Sequence, residues 1–198
     1  MIRDFQTSII SGVDSTDTRI LDAALAAVAV GASTMDDIAA RAGVGRVTLF
    51  RRFGSKEALL AQLYAREVAA FLERVDIALS KFEDPADRIA EAFVVCVREG
   101  TRHPLLATVP AGTVLEALAS GDPPPLEIAR RFVAERLDPP DDAAADLLVR
   151  LALAYVLVPS PLVDVRDDAA ARAFARAHLA PIASASARAC ATSASRAG

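Results

Sequence analysis

The stretch Thr34–Glu57, TMDDIAARAGVGRVTLFRRFGSKE, decides the fold of this chain. It reads as two short helices joined by a tight turn. Thr34 is a good N-cap residue, and Asp37, three positions on, is placed to reach back to the cap's own N–H as a shortened capping box. Asp36 and Asp37 suit the positive end of the helix dipole. Ile38, Ala39 and Ala42 fall on one face at helical spacing, and Ala39 is small enough for a second helix to cross closely. Gly43 then ends the helix, because a left-handed residue costs glycine nothing. Beyond it Val44 and Leu49 are apolar, and Arg46, Thr48, Arg51 and Arg52 stand between and after them. This is a helix-turn-helix pattern whose second helix presents long donors.

Charge placement points the same way. From Arg41 to Lys56 there are five basic residues and no acidic one, in a chain of net charge -4. An acidic protein with one local basic patch has a partner for it. A helix in a major groove needs arginine forks for guanine edges, a hydroxyl or methyl for other base edges, and further cations for phosphates. Arg46, Val47 and Thr48 suit the bases; Arg51, Arg52 and Lys56 suit the backbone. The plainer reading is the solvated face of a surface helix. The turn glycine, the capped first helix and the sequel Phe53-Gly-Ser-Lys-Glu57 favour the DNA-binding reading over it.

With these residues in place, Ile20–Leu60, ILDAALAAVAVGASTMDDIAARAGVGRVTLFRRFGSKEALL, resembles the N-terminal DNA-binding domain of the tetracycline-repressor (TetR) family of bacterial transcription regulators. The resemblance covers about the first third of the chain. It implies an all-helical dimer that binds a palindromic operator and leaves it on binding a small molecule. By position, Thr34 caps the first helix of the pair next to a phosphate, Arg46 to Phe50 enter the groove, and Lys56 meets the backbone at the next helix start. Three positions depart from the family pattern: Gly45 where serine is frequent, Val47 where glycine is frequent, and Phe50 where tyrosine is usual. Phe50 has no hydroxyl for the phosphate contact a tyrosine makes.

The expected fold is all-α, with about nine helices. Residues 1–54 form an N-terminal arm and a three-helix DNA-binding domain, residues 55–185 a helical ligand-binding and dimerisation domain, and residues 186–198 a disordered tail, small and polar in composition. Hydrophobic residues make up 53% of the 198, rich in alanine and leucine, which favours helix throughout. Two cysteines, Cys96 and Cys190, stand far apart with no partner motif, so a reducing cytoplasm fits best. The longest apolar run, Leu151–Val163, is short and broken by Pro159 and Pro161, so no membrane span is expected. His103 and His178 make no metal-site spacing, and no cofactor is expected. No nucleophile–histidine pair, glycine-rich phosphate loop or placed acidic pair is legible, so the chain is not read as an enzyme. Beyond the first helices acids outnumber bases, which argues against architectural DNA binding along the whole chain.

In chain order, a flexible arm to about residue 15 precedes a helix from about Asp17, with Ile20, Leu21, Ala24, Leu25 and Val28 inward and Gly31 as its stop. Ser55 opens a helix whose stripe continues to about Leu79, some 35 Å at ~1.5 Å per residue. The next helix, about Ala86–Gly100, turns Ile89, Ala90, Phe93, Val94 and Val97 inward, with Cys96 as a small core residue. His103 falls at a joint because Pro104 follows it. Leu105–Leu118 reads as a helix ended by Ser120-Gly-Asp and three prolines that forbid helix; about Leu126–Leu137 follows, with Arg130, Arg131 and Arg136 as a solvated face. The last two helices, Ala143–Leu157 and Asp167–Ile182, look like an association surface, with Ala170, Phe174, Ala177 and Leu179 turned inward or toward a partner. In the family these positions form a four-helix homodimer interface. A ligand cavity is expected from Phe71, Phe93, Val97, Leu118 and Tyr155, with His103 or Thr113 as polar handles, although each also reads as ordinary core. The ligand is expected to be a lipophilic or weakly polar small molecule of unknown identity. The expected function is a ligand-responsive, DNA-binding transcription regulator, by default a repressor; the alternative is a helical small-molecule carrier or enzyme with a non-functional DNA-binding end.

Overall fold

The computed structural model describes residues 15–31, 34–108, 112 and 124–183. Among them the chain is all-α with no strand, and its nine helices run α1 Ser15–Ala29, α2 Met35–Ala42, α3 Arg46–Phe53, α4 Lys56–Leu79, α5 Pro85–Gly100, α6 Pro104–Thr108, α7 Pro124–Ala134, α8 Asp142–Leu157 and α9 Asp168–Phe174. One turn of π-helix, Ala175–Leu179, continues α9. No described helix is long and apolar enough to cross a membrane. The N-terminal arm, Thr113, Leu118 and the tail lie outside the described residues.

Local chemistry sets the helix ends. The Thr34 hydroxyl accepts from the Asp37 N–H at 3.1 Å, and it donates to the Asp37 carboxylate. Asp37 therefore meets the hydroxyl of the cap, where the sequence pattern suggests its backbone N–H. Gly43 adopts the left-handed conformation, φ 62° and ψ 37°. Its N–H donates to Ala40 O at 3.2 Å and that of Val44 donates to Ala39 O at 3.1 Å, the paired bonds of a Schellman stop. Ser55 opens α4 by accepting the Ala58 N–H at 3.1 Å. Asp84, Asp141 and Asp167 cap α5, α8 and α9 in the same way. The three-proline segment behaves otherwise than expected: α7 begins on Pro124 and includes Pro125. The first-turn N–H groups of a helix have no intrahelical acceptor, so a proline there loses nothing and its fixed φ already fits.

Of the described residues, those up to Ala70 and those from His103 to Thr108 form one compact unit; Phe71–Arg102 and the residues after Ala111 form a second. The core of the first holds Ile20, Ala24, Ile38, Ala39, Leu49, Phe53, Leu59 and Leu63, with Leu105 of α6 joining it. Every residue of the inward stripe expected for α1 is in this core or packed against it. The second core gathers Ala90, Phe93, Val94 and Val97 of α5, Ala144, Ala145 and Leu148 of α8, and Ala171, Ala175 and Leu179. In the last segment the inward stripe is therefore Ala171, Ala175 and Leu179 at four-residue spacing; Phe174 is half-buried and Ala177 is exposed. Gly100 permits the close approach of α8, since a Cβ there would meet Val156 Cγ2 at 2.9 Å.

Two glycines of the helix-turn-helix, only two residues apart, should respond differently to substitution. Gly43→Ala forces a side chain into left-handed backbone and should lower stability by about 1–2 kcal/mol in urea denaturation. Gly45 has φ -71° and open space around it, so Gly45→Ser should be neutral or stabilising by a few tenths of a kcal/mol, through the missing N-cap acceptor.

Candidate nucleic-acid interface

Helix α3 divides its residues cleanly. Leu49 and Phe53 are buried against α1 and α2, and that fixes which side of the helix faces away. Arg46, Val47, Phe50 and Arg51 are exposed, and Thr48 is half-buried at the side. Val47 is 81% exposed, a large apolar side chain held in water by the helix that carries it. Thr34 is exposed at the start of α2, and Lys56 is half-buried in the first turn of α4. Glu57 beside it is held below the usual carboxylate range by its own backbone N–H first and then by the Ser55 hydroxyl.

Two of the arginines are engaged within the chain. Arg52 Nη1 donates to Asp17 Oδ1 at 2.7 Å, both side chains being about three-quarters covered. This contact ties the end of α3 to the first turn of α1, so in this conformation Arg52 braces the domain instead of standing ready for a phosphate. Arg46 donates from Nη1 to Asp36 Oδ2 at 2.8 Å across the turn between α2 and α3. Its guanidinium carbon lies 5.4 Å from the centre of the Phe50 ring, one helical turn on. Sequence reasoning gave Asp36 only a dipole role and missed this contact, because ten residues separate the partners and no local spacing rule links them.

Of the residues expected to line a ligand cavity, Phe93, Val97 and Tyr155 meet in the core of the second unit. Phe93, Tyr155 and Phe174 form an aromatic cluster in the second unit, with ring centres 5.1–5.7 Å apart. Phe93 and Val97 are buried core, and Phe71 is half-buried. His103 belongs to the first unit: its Nδ1 accepts the Leu105 N–H at 3.3 Å, and its Nε2 lies 3.3 Å from Glu67 Oε2. Arg66 beside Glu67 reaches Asp22 at 2.8 Å, so His103 closes a polar network that ties α4 to α1 and α6. An open cavity of about 220 Å³ lies in the second unit, lined by Thr101, Tyr155, Ser160, Val163, Asp164 and Arg166 among others. Among the described residues of the expected set, Tyr155 lines it. Cys96 is on α5, and burial pushes its thiol up to about 12, which keeps it protonated and inert at neutral pH. Among the described residues no three groups are placed to hold a metal ion. Arg136, expected on a solvated face, instead donates to Asp76 at 2.7 Å and stacks 3.5 Å over Phe132.

Residues 20–63 match the family model described as bacterial regulatory proteins, tetR family. No curated protein matches in sequence. Among solved structures, the chain is similar to the TetR family repressor AlkX from a Dietzia species, implicated in biodegradation of n-alkanes, with 19% identity and a TM-score of 0.63 over 85% of this chain and 95% of that one. It is also similar to the fatty acid degradation regulator FadR from Bacillus halodurans, with 15% identity and a TM-score of 0.53 over 81% and 98%. A TetR-like transcriptional regulator from a Rhodococcus species aligns at 20% identity and a TM-score of 0.50 over 83% and 93%. At these identities the likeness is one of fold.

The neighbouring arginines of α3 should separate in a denaturation experiment. Arg51→Ala, on an exposed side chain, should leave stability within about 0.5 kcal/mol. Arg52→Ala removes the partly covered link to Asp17 and should cost about 1–2 kcal/mol.

Proposed function

We propose that this chain, a TetR-family protein by its N-terminal domain, is a transcription regulator that reads a palindromic operator as a dimer and is released from it by a small lipophilic molecule. The observation that carries the DNA reading is the division of α3. Its apolar residues Leu49 and Phe53 are spent on the core, and its outer side presents Val47, Phe50 and Arg51 to solvent, with Arg46 exposed in its first turn. A guanidinium offers paired donors to guanine, and a valine methyl fits against a thymine methyl. Thr34 and the start of α4 at Ser55 and Lys56 flank that side with helix N-termini, which favour phosphate.

Dimerisation through α8 and the last segment is supported by α8 itself. Its sequence is apolar nearly all round, yet Leu151, Leu153, Val156 and Leu157 are only half-buried within one chain, and Leu147 is 45% exposed. A second copy would cover them. For the ligand, support comes from the apolar and aromatic interior of the second unit. The links of AlkX to biodegradation of n-alkanes and of FadR to fatty acid degradation agree with a lipophilic effector.

Selection from a random DNA pool at near-physiological salt should enrich a palindrome whose half-sites lie about one helical turn apart. On that site Arg46→Ala should cost about 1–3 kcal/mol and relax preference at one base pair per half-site. Lys56→Ala should weaken cognate and scrambled DNA alike and flatten the salt dependence by about one phosphate contact. Equal losses on both DNAs for Arg46→Ala would remove it from base reading, and a folded dimer that enriches nothing would favour a carrier.

For the effector, a thermal-shift panel of medium- and long-chain fatty acids, alkanols and charged metabolites should give its largest stabilisation with the lipophilic members. About 2.7 kcal/mol is expected at a hundred times the dissociation constant. Stabilisation by highly charged metabolites alone would contradict the lipophilic reading.

A further inference from the structure

Asp36 is an acid on the side of the helix-turn-helix where a DNA-binding protein gains nothing from one. It is exposed, in the first turn of α2, and its one ion pair, with Arg46, joins two side chains that are 65% and 63% exposed. Such a pair contributes little to holding a fold together, because water screens both charges and two mobile side chains must be ordered. Its cost beside polyanionic DNA is larger, since a carboxylate near phosphates opposes binding to every sequence alike.

The geometry of the contact suggests what offsets that cost. Asp36 takes Nη1 of Arg46, and this hydrogen bond does not use the edge formed by Nε and Nη2. The carbon of the same guanidinium lies over the Phe50 ring, 5.4 Å from its centre. An arginine otherwise has many rotamers to give up before it can form a paired contact with guanine O6 and N7. Held at one nitrogen from across the turn and against a ring from the next turn of its own helix, Arg46 has fewer to lose. Phe50 stands where the family usually has tyrosine, and in this chain its ring is a platform for Arg46.

Resting on the DNA-reading proposed above, we infer that Asp36 is a positioning residue for specificity: it presets Arg46 for guanine through Nη1 and lowers affinity for all other DNA by its charge. This assignment separates two quantities that a structural role would move together, affinity for the operator and discrimination against other sequences.

The test uses the full-length protein and the selected operator, with a scrambled duplex and a duplex changed only at the guanine read by Arg46. Asp36→Asn keeps the size of the side chain and removes its charge. It should tighten binding to scrambled DNA several-fold, steepen the salt dependence, and lower the ratio of operator to guanine-changed affinity about two- to threefold, with a melting temperature lowered by no more than the loss of one first-turn charge gives. In an Arg46→Ala background the same substitution should still tighten binding to scrambled DNA but should no longer change the ratio. A ratio unchanged by Asp36→Asn, with binding tightened on all DNAs equally, would make the acid a mere repulsive charge and overturn the inference. So would a ratio that falls equally with and without Arg46, or a loss on every DNA that tracks a lower melting temperature. A wild-type protein with no preferred sequence would instead bring down the DNA reading itself, and this role with it.

Discussion

The left-handed turn at Gly43 is the constraint on which the first unit depends. With φ at 62° the chain reverses within two residues, and the Ala39 and Ala40 carbonyls at the end of α2 are satisfied by the N–H groups of Val44 and Gly43. Val44 then packs against the core, Gly45 gives α3 its start, and the register of α3 is fixed from there. Because eight residues of α3 make barely two turns, a shift of one position would rotate the whole helix by about 100°. Leu49 and Phe53 would leave the core, and Thr48 and Arg52, or Phe50 and Gly54, would take their places. The turn thus decides both what is buried and what is offered to a partner.

Around that turn, charge is used in two ways. Arg52 and Arg66 reach back to Asp17 and Asp22 of α1, and Glu67 reaches His103, so α1, α3, α4 and α6 of the first unit are tied by polar links around an apolar interior. The outer side of α3 carries its cations without such anchorage in the core. Arg46 is met only by exposed groups, the Asp36 carboxylate and the Phe50 ring. A protein that needed these arginines for stability would have covered them, as the second unit covers Arg136 between Asp76 and Phe132.

The second unit is organised by aromatic contact and by small residues. Phe93, Tyr155 and Phe174 pack edge to face or tilted, geometries that suit the ring quadrupoles. Ala144, Ala145, Ala171 and Ala175 let α8 and α9 approach α5, and Gly100 lets the end of α8 come closer still. The side of α8 that this packing leaves half-covered is apolar as well. An alanine-rich helix with apolar residues on every side cannot satisfy them all within one thin layer of helices.

By itself the sequence determined the helices and the helix-turn-helix. Caps, turn glycines and apolar spacing act within about four residues, and Thr34, Gly43 and Ser55 announce their roles without reference to the remainder of the chain. Where local rules competed, as at Pro124 and Pro125, the sequence reading took the general prohibition over the exception for a first turn. Tertiary structure decided how Arg52, Arg136 and His103 are used. Arg52 finds Asp17 across 35 residues, His103 finds Glu67 across 36, and Arg136 finds Asp76 across 60. It also decided that His103 belongs to a different unit from Phe93 and Val97. The physical reason is one of range. Backbone conformation follows from neighbours along the chain, whereas the partner of a long charged or aromatic side chain is set by whatever folding brings within a few ångströms of its tip.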